Sequence, residues 1–394
     1  MASLLLVTTL SILGQTAQAA PTNTTGSRPC VDLNLSLAVN ANNSIYDIVR
    51  VDNTIDAVDY VFDLDRWTAP NITDRITGVR PVHETFSISA QLCVPQHSNN
   101  GKADILQIAT HGFGFDKRYW DSELDPEKYS YVDAGLAAGY SVLTYDRLGV
   151  GHSDKPDAYE IVQAPVEIEI LRQLTLLARS GGLAKQSQSQ SGHIRVPEFK
   201  KTVLVGHSYG SGLTIGILAN YPDIVDGAVS TGLIPGEQFG KAGQRAFGLE
   251  FAPESDPVRF GNRGSGYLVQ GTKTALQQIF FKKGYFEEEL LEYADSIKET
   301  GSAGEFVSFA AALGKPANSY KGPLLFALAQ YDFGTCLGEC PGSYDLPALK
   351  KGTFPAAEDV SVHVQPGSGH ALTMHTNATG HYEAIFTYLG KHDL

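Results

Sequence analysis

A serine set between two glycines, in GHSYG at residues 206–210, constrains the fold of this chain more than any other feature. The apolar run KTVLV before it predicts a buried strand, and GSGLTIGILAN after it predicts a helix. A turn this tight between strand and helix strains the central residue, and only glycines leave room beside it. The pattern G-x-S-x-G occurs nowhere else in the chain. We therefore predict that Ser208 is a nucleophile at a helix N-terminus, where developing negative charge is stabilised.

A serine hydroxyl is a weak nucleophile until a base removes its proton, and the best-placed candidate for that base is His370. It follows the last predicted strand, Val360–Val364, directly. His375 and His381 fall in the helical stretch beyond it, and His363 alternates inside the strand. We expect packing or surface roles for His375 and His381.

A carboxylate should hold the tautomer of the histidine and stabilise its positive charge. Asp332 stands just after the predicted strand Leu324–Ala329, between the serine and the histidine in the chain. An isolated aspartate after a strand is commonly a turn former, but the chain order favours the catalytic interpretation. Glu339 and Asp345 remain the alternative carboxylates.

Acyl transfer also requires two backbone N–H groups that stabilise an oxyanion. Tyr209, directly after the serine, is expected to supply one of them. The loop after the predicted strand Asp104–Thr110 has the sequence HGFG, and its glycines allow a close approach to the reacting carbonyl. Phe113 in this loop is the predicted second donor.

The distribution of apolar residues predicts an α/β fold. Period-two alternation marks Val31–Val39 and His83–Pro95 as antiparallel strands that open a sheet. Later strands lack polar alternation, as expected where helices cover both faces of a parallel sheet. These are Asp104–Thr110, Tyr140–Tyr145, Thr202–Val205, Ala228–Ser230 and Leu324–Ala329, with Val360–Val364 nearer an edge. Helices are predicted at Ile161–Arg179 and Gly210–Asn220, and low-complexity Gln186–Gly192 is predicted to be a surface loop.

The predicted domain organisation is one α/β core with an insertion. Residues 21–82 form an N-terminal extension with a strand, and residues 83–232 form the first part of the core. Residues 233–320 interrupt the alternation of strands and helices, and their helical stretches Thr274–Phe281 and Glu287–Lys298 predict a cap. Residues 321–394 complete the core.

The first twenty residues predict a signal peptide. Leu4–Leu13 is a short apolar stretch, and Ala17-Gln18-Ala19 supplies the small-x-small cleavage pattern. A membrane span would need about twenty apolar residues, so none is expected. The final Lys391–Leu394, KHDL, faintly resembles an ER-retrieval tail but has Asp where Glu is usual, so secretion is favoured.

Four cysteines and five sequons agree with the secretory route. Four cysteines allow three disulfide connectivities. We favour Cys30–Cys93 with Cys336–Cys340, since the second pair is close enough in sequence to close locally. No histidine cluster accompanies them, which disfavours a zinc site, and no metal is expected. Glycosylation is expected at the N-x-S/T sequons of Asn23, Asn34, Asn42, Asn71 and Asn377. The net charge of −13, without any Lys/Arg-rich run, argues against a nucleic-acid partner, and none is expected.

Five segments together resemble the α/β-hydrolase superfamily over residues 83–390, and most closely its secreted fungal members. They are HGFGFDKRYWD (111–121), YDRLGVGHSD (145–154), GHSYG (206–210), AQYD (329–332) and GSGH (367–370). The order Ser, Asp, His is the one this fold uses. The resemblance implies an eight-stranded sheet, a lid between strands six and seven, and no cofactor. Relatives with similar caps, the epoxide hydrolases and dehalogenases, use an Asp nucleophile, and the serine here argues against both.

The expected activity is hydrolysis of a carboxylic ester, lactone or thioester of a small apolar or aromatic molecule. Phe115, Tyr119 and Trp120 follow the HGFG loop and are the candidate pocket residues, although core packing is their alternative role. A biosynthetic acyltransferase, C–C hydrolase or cyclase is the alternative on the same fold. A non-catalytic binding protein is the third hypothesis, disfavoured because all three expected catalytic residues are present. The sequence predicts no particular oligomeric state.

Overall fold

The computed structural model describes residues 28–96, 101–191, 195–236 and 245–394. The predicted signal peptide and the sequon at Asn23 lie outside these ranges. No helix in these ranges has both the length and the apolar character needed to cross a bilayer.

Eight strands form one sheet. They are β1 Cys30–Tyr46, β2 Ile76–Cys93, β3 Ile105–Thr110, β4 Ser141–Tyr145, β5 Lys201–His207, β6 Gly227–Thr231, β10 Leu324–Ala329 and β11 Val360–Gln365. Their order across the sheet is β1-β2-β4-β3-β5-β6-β10-β11. β1 and β2 pair antiparallel, β2 pairs antiparallel with β4, and the remaining neighbours are parallel. The predicted mostly parallel sheet is therefore confirmed, with the last strand at its edge.

The central parallel strands are almost entirely buried because helices cover both faces of the sheet. All residues of β3 and β10 are buried. The helices are α1 Thr54–Asp65, α2 Pro126–Tyr129, α3 Tyr131–Ala137, α4 Ala164–Arg179, α5 Gly182–Ser191, α6 Tyr209–Asn220, α7 Ala252–Ser255, α8 Pro257–Phe260, α9 Lys273–Phe280, α10 Glu288–Ile297, α11 Ala303–Leu313, α12 Phe333–Cys336, α13 Leu346–Thr353 and α14 Ala378–Lys391. Short 3-10 helices occur at Ile72–Arg75, Lys117–Tyr119, Pro222–Ile224 and Leu372–Met374.

A smaller antiparallel sheet and several helices lie between β6 and β10, the sixth and seventh strands of the main sheet. Strands β7 Leu249–Phe251, β8 Tyr267–Gln270 and β9 Gly301–Ser302 form this sheet. Helices α9, α10 and α11 belong to the same insertion, which we call the cap. The predicted start of the core at residue 83 falls inside β2, which continues back to Ile76.

Both predicted disulfides are present. Cys30 and Cys93 face each other at one end of the β1–β2 ladder, where their sulfurs are bonded. Cys336 and Cys340 are bonded across the turn that follows α12. The second disulfide therefore closes a short loop just beyond Asp332.

The predicted loop at Gln186–Gly192 is wrong, because α5 extends through Ser191. Leu183 and Ser187 of this helix are buried, and the Ser187 hydroxyl donates to the Leu183 carbonyl. Contact of α5 with β1 orders a segment that has little apolar periodicity of its own.

Candidate active site

Ser208 occupies a strained turn between β5 and α6. Its backbone has φ 51° and ψ −114°, a conformation that non-glycine residues adopt rarely. A Cβ on Gly206 would lie 2.5 Å from the Gly210 carbonyl oxygen, and a Cβ on Gly210 would lie 2.3 Å from the Thr110 carbonyl oxygen. Both flanking glycines are therefore required by close backbone contacts, as the sequence predicts.

Asp332 and His370 form a buried hydrogen-bonded pair. Each carboxylate oxygen of Asp332 lies 2.8 Å from Nδ1 of His370. The same carboxylate accepts at Oδ1 from the Thr335 backbone N–H at 2.7 Å, which fixes its orientation. A proton on Nδ1 that points at a carboxylate leaves Nε2 of His370 as the nitrogen that can accept a proton.

The chain brings this pair to the turn that holds Ser208. The rings of His370 and His207, the residue just before Ser208, have centroids 4.9 Å apart. The Ser208 backbone N–H donates to the Thr231 carbonyl at the end of β6. Because β5, β6, β10 and β11 are parallel neighbours, their carboxyl ends carry Ser208, Asp332 and His370 to one edge of the sheet.

The other candidate bases make contacts of a different kind. His375 donates from Nδ1 to the Ala371 carbonyl and accepts at Nε2 from the Gly369 N–H, so it braces the loop that carries His370. Burial lowers the pKa of His375 to about 4, which keeps it neutral. Nε2 of His363 lies 2.9 Å from Oε1 of Gln365. His381 is buried in α14.

The alternative carboxylates also lie elsewhere. Asp345 caps α13 by accepting from the Ala348 N–H, and Glu339 is exposed. Within the described ranges, no cluster of three or more His, Cys, Asp or Glu side chains forms a metal-binding group.

The two predicted oxyanion donors flank Ser208. A Cβ placed on Gly112 would lie 3.0 Å from the Ser208 Cβ, so the backbone of the HGFG loop runs directly beside the serine. Tyr209 follows Ser208 as the first residue of α6. Neither the Phe113 nor the Tyr209 N–H donates a hydrogen bond to another described residue. Buried backbone donors are rarely left unpaired, so these two are available to a bound oxygen.

A small apolar cavity of about 40 Å³ opens beside Ser208. Its walls come from the HGFG loop, the residues around Ser208 and the cap. They are Phe113, Ser208, Tyr209, Leu233, Phe247, Glu305, Phe306 and Phe309. The volume exceeds the roughly 10–15 Å³ that one water molecule needs but is far below the roughly 300 Å³ typical of larger ligand sites.

The predicted pocket residues Phe115, Tyr119 and Trp120 do not belong to the wall of this cavity. All three are buried in the core, as their alternative role suggests. The Tyr119 ring stacks on His207 at 4.3 Å, and the Trp120 ring packs against Tyr131. Tyr119 and Trp120 therefore both pack against the ring of His207, the residue before Ser208.

Sequence reasoning missed the residues that form the cap side of the cavity. Phe306 and Phe309 are three residues apart on α11, which places them on one face of the helix. This spacing is visible in the sequence, but nothing in it indicates which face meets Ser208. Glu305 precedes them and is buried, and its partner Arg147 lies in the DRLGVGHS motif.

The sequence profile of the alpha/beta hydrolase family matches residues 108–379. The chain belongs to this family. Its eight-stranded sheet and the insertion after the sixth strand agree with that membership. No curated protein resembles this alpha/beta hydrolase closely enough to count as a match.

Solved structures similar to this alpha/beta hydrolase include several enzymes. A thermophilic esterase from Thermogutta terrifontis is 17% identical, with a TM-score of 0.48 over 78% of this chain and 94% of that chain. A bromoperoxidase from Bacillus anthracis is 20% identical, with a TM-score of 0.48 over 78% and 96%. A monoacylglycerol lipase from Paleococcus ferrophilus is 15% identical, with a TM-score of 0.46 over 73% and 94%. These likenesses concern the fold alone.

Proposed function

We propose that the protein is a serine hydrolase that cleaves a carboxylic ester, lactone or thioester through an acyl-enzyme intermediate. The observation that carries this proposal is the strained Ser208 turn, beside a buried Asp332–His370 pair and an apolar cavity. Strain at a non-glycine residue is retained where the surrounding structure enforces it, and such positions cluster at functional sites.

In the proposed reaction, Oγ of Ser208 attacks the carbonyl carbon and its proton passes to Nε2 of His370. Asp332 stabilises the imidazolium that forms, through the contact to Nδ1. The oxygen of the tetrahedral intermediate accepts from the Phe113 and Tyr209 N–H groups. When the intermediate collapses, His370 returns the proton to the leaving alcohol or thiol. Water then attacks the acyl-enzyme by the same route and releases the acid.

The cavity supports a small apolar acyl group as the substrate portion next to Ser208. Three phenylalanines of the cap, Phe247, Phe306 and Phe309, supply much of its wall, so the lining offers few hydrogen-bonding groups to a polar substituent. A short acyl chain fits the volume of about 40 Å³ better than a long one. The expected partner is therefore a small-molecule ester.

We also propose that the protein is secreted and glycosylated, like the secreted members of the superfamily that its sequence resembles. Two disulfides are typical of the oxidising secretory route. The side chains of Asn34, Asn42 and Asn71 are exposed and accessible to glycan transfer. Asn377 is half-buried, and its side-chain N–H donates to the Pro366 carbonyl, so we expect lower occupancy there.

A panel of p-nitrophenyl esters of graded acyl length tests this proposal. We expect turnover that is highest for acetyl to butyryl esters and absent in Ser208→Ala. Ser211→Ala is the matched control, because Ser211 is the third residue of α6 and its hydroxyl donates to the Thr231 carbonyl. Hydrolysis that survives in Ser208→Ala contradicts the proposal. Transfer of the acyl group to an added alcohol without any acid product would support the acyltransferase alternative instead.

A further inference from the structure

The guanidinium of Arg147 is buried behind the proposed oxyanion hole. Arg147 comes two residues after β4 and is 1% exposed. Its Nη1 donates to Glu167 at 2.6 Å and to Glu305 at 2.5 Å, and its Nη2 donates to the Gly112 carbonyl at 3.3 Å. A buried arginine with two carboxylate partners is held more firmly than a surface one, because all its neighbours are fixed by packing.

The Gly112 carbonyl has a second donor in His111. Nε2 of His111 accepts from the Arg147 backbone N–H at 3.0 Å, so Nε2 carries no proton. Burial, reinforced by the charge of Arg147, holds the pKa of His111 well below its ordinary value, and the ring is neutral. The proton of the neutral ring is therefore on Nδ1, which lies 2.8 Å from the Gly112 carbonyl oxygen. Arg147 thus acts on this carbonyl directly and also through His111.

Fixing the Gly112 carbonyl also fixes the Phe113 N–H, because both belong to one peptide group. The described chain contains no cis peptide bonds, and in a trans peptide the C=O and the following N–H point in opposite directions. With the carbonyl held toward Arg147 and His111, the Phe113 N–H points away from them. Gly112 lies directly beside Ser208, so the orientation of this peptide determines whether the N–H is presented to a reacting oxygen.

Arg147 also contacts the residue that supplies the other proposed donor. Its guanidinium carbon lies 4.5 Å from the centre of the Tyr209 ring, in cation–π geometry. One side chain therefore contacts both the Gly112–Phe113 peptide group, through its carbonyl, and the ring of Tyr209. Its carboxylate partners belong to different parts of the fold, since Glu167 lies on α4 of the core and Glu305 on α11 of the cap.

Glu305 connects this arrangement to the cap. Its other oxygen accepts from the Ser302 N–H in a capping box at the start of α11, so its position follows the helix. Glu305 also lines the cavity beside Ser208. A displacement of α11 would therefore move the partner of Arg147 and, through Arg147, release the Gly112 carbonyl.

We propose that Arg147 is a positioning residue that holds the Gly112–Phe113 peptide in the orientation in which its N–H serves as an oxyanion donor. Glu305 makes this orientation depend on the docking of the cap. The proposal rests on the ester hydrolysis proposed above, because it concerns the stabilisation of that reaction's tetrahedral intermediate.

Two variants of Arg147 test the proposal. Arg147→Lys keeps a positive charge between the carboxylates but lacks the planar fork that also reaches the Gly112 carbonyl. A second variant serves if the lysine variant fails to fold. It combines Arg147→Met with Glu167→Gln and Glu305→Gln, which removes all three charged side chains together and leaves no buried charge unpaired. Arg75→Lys is the matched control. Arg75 is likewise buried and bridges the Asp63 carboxylate and a backbone carbonyl, but its partners lie in the N-terminal segment.

The measurements separate positioning from stability. Active sites are titrated with a fluorophosphonate, and kcat per titrated site and KM are determined with p-nitrophenyl butyrate. Inhibition by butaneboronic acid, which forms a tetrahedral adduct with a nucleophilic serine, is measured in parallel. Removing one oxyanion donor lowers kcat by about 10²–10³-fold, so we expect a misoriented donor to lower it by at least about tenfold. KM should change by less than about threefold, and boronate affinity should fall with kcat.

The outcomes are distinct. A fall in kcat and in boronate affinity for both Arg147 variants, with Arg75→Lys at the wild-type values per titrated site, supports the proposal. Arg147 variants that lose only thermal stability, with wild-type kcat per site, overturn it and leave the proposed hydrolysis intact. A wild-type protein that neither hydrolyses the ester nor reacts with the fluorophosphonate overturns the proposed function, and the proposal for Arg147 with it.

Discussion

Replacing Asp332 by asparagine should remove most of the activity without unfolding the protein. In the native structure Oδ1 of Asp332 accepts from the Thr335 N–H at 2.7 Å. An asparagine oxygen will keep that position, because only an oxygen can accept there. Its NH₂ group then takes the place of Oδ2, which lies 2.8 Å from Nδ1 of His370. The retained oxygen also lies 2.8 Å from Nδ1, but it already accepts from the Thr335 N–H. The NH₂ group is a donor that faces Nδ1, so it disfavours a proton there and shifts the ring toward the tautomer with its proton on Nε2, the nitrogen that should receive the serine proton.

The size of this effect follows from the tautomer. The same substitution in a Ser-His-Asp triad of another fold lowers kcat by about 10⁴-fold with the geometry intact. At about 1.36 kcal/mol for each factor of ten, this corresponds to about 5 kcal/mol of transition-state stabilisation. We expect Asp332→Asn to show a loss of this order in kcat/KM for p-nitrophenyl butyrate, with little change in its thermal unfolding midpoint.

The control for this variant is Asp345→Asn. Asp345 also accepts from a backbone N–H at a helix start, but it is exposed and caps α13. It should retain wild-type kcat/KM. If Asp332→Asn keeps more than about a tenth of the wild-type kcat/KM at an unchanged unfolding midpoint, the tautomer argument is refuted and Asp332 is not the orienting carboxylate.

Three further predictions concern buried groups. Burial lowers the pKa of His381 to about 3, so the unfolded chain binds the extra proton as pH falls below about 6.5 and folding stability drops. The unfolding free energy, measured by urea denaturation, should therefore fall by about 2 kcal/mol less in His381→Phe than in wild type between pH 7 and 5. Equal decreases in the two proteins would show that His381 does not cause the loss of stability. A Cβ on Gly301 would lie 1.8 Å from the Phe113 ring. Gly301→Ala should therefore lower the unfolding free energy by about 1–3 kcal/mol and also lower kcat. Wild-type values for both quantities would contradict this. The side-chain amide oxygen and nitrogen of Gln270 are both buried without a hydrogen-bond partner among the described residues. Gln270→Met should therefore raise the unfolding free energy by about 1 kcal/mol. A decrease of similar size would indicate that the amide has a bound partner.

The sequence predicts the core of the fold well because its signals are local. Continuous apolar runs such as Leu324–Ala329 become strands that are buried on both faces. The strained turn at Ser208 is encoded by two glycines whose Cβ atoms would meet backbone oxygens. Such requirements involve neighbours in sequence or in one strand–helix unit, so a single chain reveals them.

The walls of the cavity could not be predicted because tertiary packing alone decides them. Tyr119 and Trp120 follow the HGFG loop closely, yet the fold packs them behind His207. Phe306 lies nearly a hundred residues beyond Ser208 but reaches the cavity, because α11 of the cap covers that edge of the sheet. The pairing of Arg147 with Glu305 is equally non-local, since the two residues are far apart in the chain and no sequence pattern links them.

Locating the covalent adduct of a serine-reactive inhibitor tests whether Ser208 is the nucleophile. The protein is treated with a fluorophosphonate, digested and mapped by mass spectrometry, with Ser208→Ala and Ser211→Ala treated in parallel. We expect one adduct per molecule, on the peptide that contains Ser208, in the wild type and in Ser211→Ala, and none in Ser208→Ala. An adduct on another residue, or one that persists in Ser208→Ala, would contradict the assignment of Ser208.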